Sequence, residues 1–163
     1  GVCEGPIANA GHDAASVVRA VDETPFAYDL SSITVMFFGW APMAPGSLAS
    51  FRKLCSDSVK IYEIIGQTEA VACHRFFVDR HTDLYLREAP AINHVGKPSP
   101  IMASTVFDDE DKDLRGQKGV AGEAVYRSPA MFSGYYRDEA ATLEAVKNDW
   151  FHSGDSFEFF VLG

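Results

Sequence analysis

An α/β segment followed by a mostly β segment is the fold class this sequence predicts, and three observations predict it. Two short runs rich in β-branched and aromatic residues, Ile33–Phe38 and Ile61–Ile65, flank a helical pattern that starts at Pro45, with short connections on both sides. Each run closes on a glycine, Gly39 and Gly66. Beyond about Ala91 the texture changes to brief apolar runs punctuated by Gly and Pro. The division therefore falls into residues 1–95 and 96–163, with no repeat and no low-complexity stretch in either.

Taken in order, residues 1–12 are Gly- and Ala-rich and have no period. Asp13–Val21 places Val17, Val18 and Val21 on one helical face, with Asp13 as a cap, and ends before Pro25. Ile33–Phe38 is apolar on both faces, the pattern of a strand inside a covered, parallel-type sheet. Pro45 suits the first turn of a helix, and Leu48, Phe51, Leu54 and Cys55 then share a face. Lys60–Ile65 closes a β-α-β unit, a motif that places ligands beyond the carboxyl ends of its strands, where Gly39 and Gly66 lie. Further on, Ile101–Phe107 and Glu123–Arg127 read as strands around a charged turn region, Asp108–Lys118. Asp138–Val146 reads as a helix capped by Asp138, with Ala141, Leu143 and Val146 inward, and Phe157–Leu162 as a closing strand.

Composition narrows the function. The 163 residues are 47% hydrophobic, enough for a sizeable core, and carry a net charge of −9 with a pI near 4.9. An acidic chain is a poor partner for nucleic acid or an anionic membrane. Cys3, Cys55 and Cys73 are odd in number and far apart, as in reduced cytoplasmic proteins, and no C-x-x-C or clustered His pattern offers a zinc site. No apolar run approaches the ~20 residues of a transmembrane helix, and no export signal is visible. The first residue is not Met, which suggests a piece of a longer chain.

The chemistry concentrates at Gly66-Gln67-Thr68-Glu69. A glycine at a strand end lets backbone come close to a neighbour, because no Cβ intervenes. A threonine hydroxyl can donate to a phosphate oxygen, and a glutamate can hold a hard cation such as Mg²⁺. Taken alone, the same four residues suit an ordinary turn with a solvated Thr-Glu. Asp155, in Ser153-Gly154-Asp155, suits a turn equally well, and Gly122-Glu123 and Gly134-Tyr135 suit fold punctuation.

Five collinear stretches go further: DLSSITVMFFGWAPMAPGSL (29–48), IGQTEA (65–70), HVGKPSP (94–100), GVAGEAVYRSPAMFSGYYRDEAAT (119–142) and WFHSGD (150–155). Together they resemble the adenylate-forming superfamily of acyl-CoA synthetases, 4-coumarate-CoA ligases, luciferases and peptide-synthetase adenylation domains, over roughly residues 13–162. The later blocks look most like fatty-acyl-CoA ligases. The fold implied is part of the acyl-CoA synthetase N-terminal domain, a β-α-β subdomain segment followed by a distorted β-barrel segment.

The resemblance also implies roles. Gly39, Trp40, Ala41 and Pro42 would run past the adenine ring and acyl pocket. Ile65 stands where the family usually stacks a Tyr on adenine. Gly66 would adjoin the acyl pocket, with Gln67 beside it in the nucleotide-binding turn. Thr68 would meet a phosphate and Glu69 would hold Mg²⁺, which makes these two the catalytic pair. Asp155 would take both ribose hydroxyls. Trp40 replaces a small residue and would reshape the acyl pocket, whereas Gly66 leaves room where acetate-restricted relatives carry a Trp. The chain has no Ser/Thr/Gly-rich phosphate loop ending in Lys and nothing matching the family's C-terminal domain.

The implied reaction joins a carboxylic acid to ATP, giving an acyl-adenylate, and passes the acyl group to CoA. The isolated chain is expected to be inactive. A non-catalytic nucleotide-binding or interaction module of the same fold, or part of a peptide-synthetase adenylation domain, are the alternatives. The acid and the oligomeric state stay open. The whole reading requires position 155 to lie beside the 66–69 turn.

Overall fold

The computed structural model describes residues 30–39, 41–89 and 91–160. The helix expected over Asp13–Val21 lies outside them, as do Trp40, Cys3 and the last residues of the expected closing strand. Eleven elements follow one another: β1 (Val35–Gly39), α1 (Pro45–Leu54), β2 (Lys60–Gln67), β3 (Val71–Phe77), α2 (Thr82–Glu88), β4 (Lys97–Pro98), β5 (Ala103–Phe107), β6 (Ala121–Arg127), α3 (Glu139–Ala145), β7 (Val146–Lys147) and β8 (Trp150–Glu158). They form two four-stranded sheets, in the orders β1-β2-β3-β4 and β5-β6-β8-β7, one of them a curled half-barrel. The mixed α/β class is the one expected from the sequence.

Two compact units share these elements. One gathers the described residues up to Ile65 together with His74–Lys97; the other gathers Gly66–Cys73 and the described residues from Pro98 onward.

In the first unit β1 runs parallel to β2, Phe38 opposite Glu63 and Gly39 opposite Ile64, so the β-α-β unit is present. α1 has no side-chain cap; Pro45, whose missing N–H costs nothing in a first turn, opens it, and Leu48 and Phe51 face inward. The core joins Phe38, Met43, Leu48, Ile61, Phe76, Val78 and Tyr85. Tyr85 ties α2 to the segment after β1, since its hydroxyl donates to the Met43 carbonyl (3.1 Å) and accepts from the Met43 N–H (2.6 Å). One expectation fails. β1 is not covered on both faces: Val35 and Phe37 are 47% and 66% exposed, and among the described residues β1 stands at the end of its sheet.

In the second unit β5, β6 and β8 are antiparallel neighbours, with β7 beyond β8. Ala70, Cys73, Met102, Ala124, Tyr126 and Phe151 form the core, and Phe132 packs edge-on against Phe151 (ring centroids 5.8 Å). Ala70 and Cys73 explain why the tip of the β2–β3 hairpin belongs here: their buried side chains pack with the second sheet. α3 is capped as expected, the Asp138 carboxylate accepting from the Ala141 N–H (2.9 Å). Its burial is not as expected, for Leu143 is 66% exposed and no residue of the helix is fully buried. The closing strand also begins earlier than expected, at Trp150 instead of Phe157, because the Ser-Gly-Asp segment that suits a turn is a bulge within it.

Candidate functional site

The β2–β3 turn is closed by a hydrogen bond from the Ala70 N–H to the Gln67 carbonyl (3.1 Å), which leaves Thr68 and Glu69 at the corners. Thr68 is exposed and Glu69 half-buried. Gly66, just before the turn, has a structural need to be glycine: a Cβ there would lie 2.1 Å from the Val71 carbonyl oxygen across the hairpin. The same holds for Gly39 in the first unit, where a Cβ would lie 2.0 Å from the Ile64 carbonyl oxygen. Both glycines permit close approach, but of neighbouring strands.

Two contacts fix Glu69. Its carbonyl accepts from the Phe132 N–H (2.8 Å), and its carboxylate Oε1 accepts from the Tyr135 hydroxyl (2.8 Å). Tyr135 in turn packs edge-on against Phe132 (5.0 Å), and its N–H donates to the Thr142 hydroxyl (2.9 Å). Donation to a carboxylate holds the Tyr135 phenol above its ordinary value.

Asp155 sits in the bulge of β8. His152 pairs with Val125 and Ser156 with Glu123, so three residues of β8, Ser153 to Asp155, face only Ala124 on β6. A bulge of this kind turns a side chain out of the alternation of its strand. Gly154 takes up the left-handed backbone it needs (φ 73°), and the Asp155 N–H donates to the Ser153 hydroxyl (3.0 Å). Glu123 braces the bulge from β6: Oε2 meets His152 Nδ1 at 2.7 Å, and Oε1 accepts from the Gly154 N–H at 2.9 Å. Burial alone would raise the Glu123 carboxyl, but these two hydrogen bonds outweigh it and hold the group below its ordinary value. Burial raises the Asp155 carboxyl.

Gln67 connects turn and bulge. Its amide nitrogen donates to the Ser153 carbonyl (2.8 Å) and to Asp155 Oδ2 (3.2 Å). Position 155 thus lies beside the 66–69 turn, within one unit, as the sequence reading requires. Cys73 lies close by, its thiol pushed up to about 11 by burial first and by the negative charge of Asp155 besides.

Of the other expected site residues, Gly39 ends β1, Ala41 and Pro42 follow it half-buried, and Ile65 is half-buried in β2, all in the first unit. Sequence reasoning missed Glu123 and Tyr135, which suit fold punctuation as well as a site. The available signal was Gly154 within an otherwise strand-like run, since an isolated glycine in a strand marks a bulge. For a cation, the described residues contain no group of three or more His, Cys, Asp or Glu side chains. Glu69 stands as a single carboxylate with Oε1 held by Tyr135.

A mixed α/β fold with two sheets, one a curled half-barrel, defines the class: the N-terminal domain of adenylate-forming enzymes. The solved amide bond synthetase McbA of Marinactinospora thermotolerans shares this fold with a TM-score of 0.68 at 25% identity, over 90% of this chain and 32% of its own. The family described as AMP-binding enzyme matches residues 9–136, and the chain belongs to that family. It is 32% identical over 133 residues to the acyl-CoA ligase lcsD of Purpureocillium lilacinum, covering 80% of this chain and 32% of the relative. It is also 32% identical over 124 residues to long-chain-fatty-acid–CoA ligase 6 of Rattus norvegicus, covering 76% and 16%. The chain therefore spans between 16% and 32% of the length of these two relatives. Among the described residues no helix is long and apolar enough to cross a membrane.

Proposed function

We propose that this chain supplies the nucleotide-side part of an ATP-dependent acid–CoA ligase. In the first half-reaction a carboxylate oxygen attacks the α-phosphorus of ATP and pyrophosphate leaves, giving an acyl-adenylate. In the second, the CoA thiol, losing its proton, attacks the acyl carbon and AMP leaves that carbon, giving the thioester. The observation that carries the reading is the bond from Gln67 to Asp155, which joins the Thr-Glu turn to the carboxylate proposed to accept both ribose hydroxyls. Thr68, exposed at the turn, would donate to a phosphate oxygen. Glu69 would hold Mg²⁺, which when bound neutralises charge developing between the acid and the α-phosphate. Tyr135 keeps the Glu69 carboxylate turned in one direction. Long-chain acids are favoured by the names of the relatives.

The acceptor admits a second reading. The solved neighbour at 25% identity is an amide bond synthetase, so an amine in place of the CoA thiol would leave the first half-reaction unchanged. ATP–pyrophosphate exchange by the full-length protein, dependent on a fatty acid and lost in Glu69→Ala, is the expected result. Product analysis with CoA or an amine then separates the acceptors. Exchange that persists in Glu69→Ala refutes the assignment, and the 163-residue chain alone should show none.

A further inference from the structure

The amide nitrogen of Gln67 has two hydrogens, and the fold uses both, one on the Ser153 carbonyl and one on the Asp155 carboxylate. Both partners act as acceptors there, a carbonyl and a carboxylate, so the nitrogen and not the oxygen of the amide must face them. The amide oxygen on the other side is buried and makes no hydrogen bond among the described residues. Little of this side chain remains to touch a nucleotide.

What it does touch is the bulged part of β8. Residues 153 to 155 have one residue opposite them on β6 instead of three, and Gly154 in the middle adopts a left-handed backbone. Glu123 grips the early part of the bulge, at His152 and Gly154. The Asp155 side chain lies beyond that grip, and Gln67 reaches it.

We infer that Gln67 is a positioning residue: by holding the Ser153 carbonyl and one oxygen of Asp155, it sets the direction in which the Asp155 carboxylate meets the ribose hydroxyls. This rests on the proposed ribose role of Asp155. Gln67 therefore acts on the nucleotide through Asp155 and not by contact of its own. Its substitution should weaken the hold on the ribose while leaving the hold on phosphate intact.

Calorimetric titration of the full-length protein with AMP and with 3′-deoxy-AMP tests this. The ratio of the two Kd values measures the ribose grip. Gln67→Met, which keeps the length of the side chain without its donors, should shrink that ratio about tenfold, what a hydrogen bond steering a charged group is worth. Gln67→Asn, which withdraws the amide by one methylene, should act in the same direction and serves if the methionine variant does not fold. Asp155→Asn should shrink the ratio as well, and adding Gln67→Met to it should change the ratio no further.

A ratio that Asp155→Asn reduces but neither Gln67 variant alters overturns the inference and leaves the ribose reading standing. Equal weakening of both nucleotides by the Gln67 variants, the mark of a merely structural role, also overturns it. A ratio untouched by Asp155→Asn, or no AMP binding by the unsubstituted protein, removes the ribose reading and the inference together.

Discussion

Glu63 provides the sharpest test of the physical description, because it is a carboxyl placed in a core. It points inward from β2, 2% exposed, and neither carboxylate oxygen has a hydrogen-bond partner among the described residues. Burial pushes its pKa from the ordinary 4.5 up to about 8, so the group is a neutral acid at pH 7. Between pH 4.5 and 8 the folded chain keeps a proton that the unfolded chain has released, so stability falls as pH rises through that window. The full effect is on the order of 4–5 kcal/mol, at about 1.4 kcal/mol per pH unit.

His74 works in the opposite direction. It is 5% exposed, and burial lowers its pKa from 6.5 to about 4, so stability rises with pH between those values. The two slopes nearly cancel from pH 4.5 to 6.5. Above 6.5 only Glu63 still titrates of this pair, and stability should fall by about 2 kcal/mol by pH 8. Glu63→Gln, of almost the same shape, removes the falling term. Its stability should rise from pH 4.5 to 6.5 and then level off, whatever constant offset the buried amide adds. Urea midpoints at half-unit intervals from pH 4.5 to 8.5, followed by circular dichroism, read both curves. An unchanged fall between pH 6.5 and 8 in the variant would refute the reasoning and mean that the carboxyl is solvated or paired.

Three further outcomes follow from the same packing. Phe151→Ala removes a 3%-exposed ring from the centre of the second unit's core and should cost about 3–5 kcal/mol, read as a lower urea midpoint. Gly66→Ala brings a methyl to 2.1 Å from a backbone oxygen that has nowhere to go; a loss of at least ~2 kcal/mol or failure to recover soluble protein is expected. Cys73, 1% exposed with a thiol near 11, has about one thiolate in ten thousand at pH 7, so a disulfide reagent should label it only after unfolding; rapid labelling of the native protein would contradict its burial.

How much of this was legible in the sequence differs by length scale. The β-α-β unit was readable because its signals are local: two apolar runs, a proline suited to a first turn, and a helical face bearing Leu48 and Phe51. β3 escaped because VACHRFF mixes Cys, His and Arg into a strand and so hides its period. α2 escaped because seven residues give fewer than two full turns and His81 supplies no side-chain cap. Leu143 was expected inside on the strength of its residue type, yet α3 lies at the surface and buries nothing fully. Glu63 and His74 are the reverse case, polar residues at inward positions where pattern alone would assign a solvated role.

The candidate site shows why residue types were readable where pairings were not. Thr68, Glu69 and Asp155 were picked out by the chemistry they can do, which a sequence states directly. Their arrangement depends on bonds spanning 86 and 88 positions from Gln67, 66 from Tyr135 and 29 from Glu123. The last of these pairings is fixed by the register of β6 against β8, and that register contains a three-against-one bulge. The bulge puts two extra residues into β8, so without it every residue from Ser156 onward would slip two places along β6. The backbone at Asp155 is thus braced by Gly154 and Glu123, neither of which requires a chemical role of its own, while Gln67 reaches its side chain. A local reading ranks such residues last, because their effect is exerted on where another side chain points.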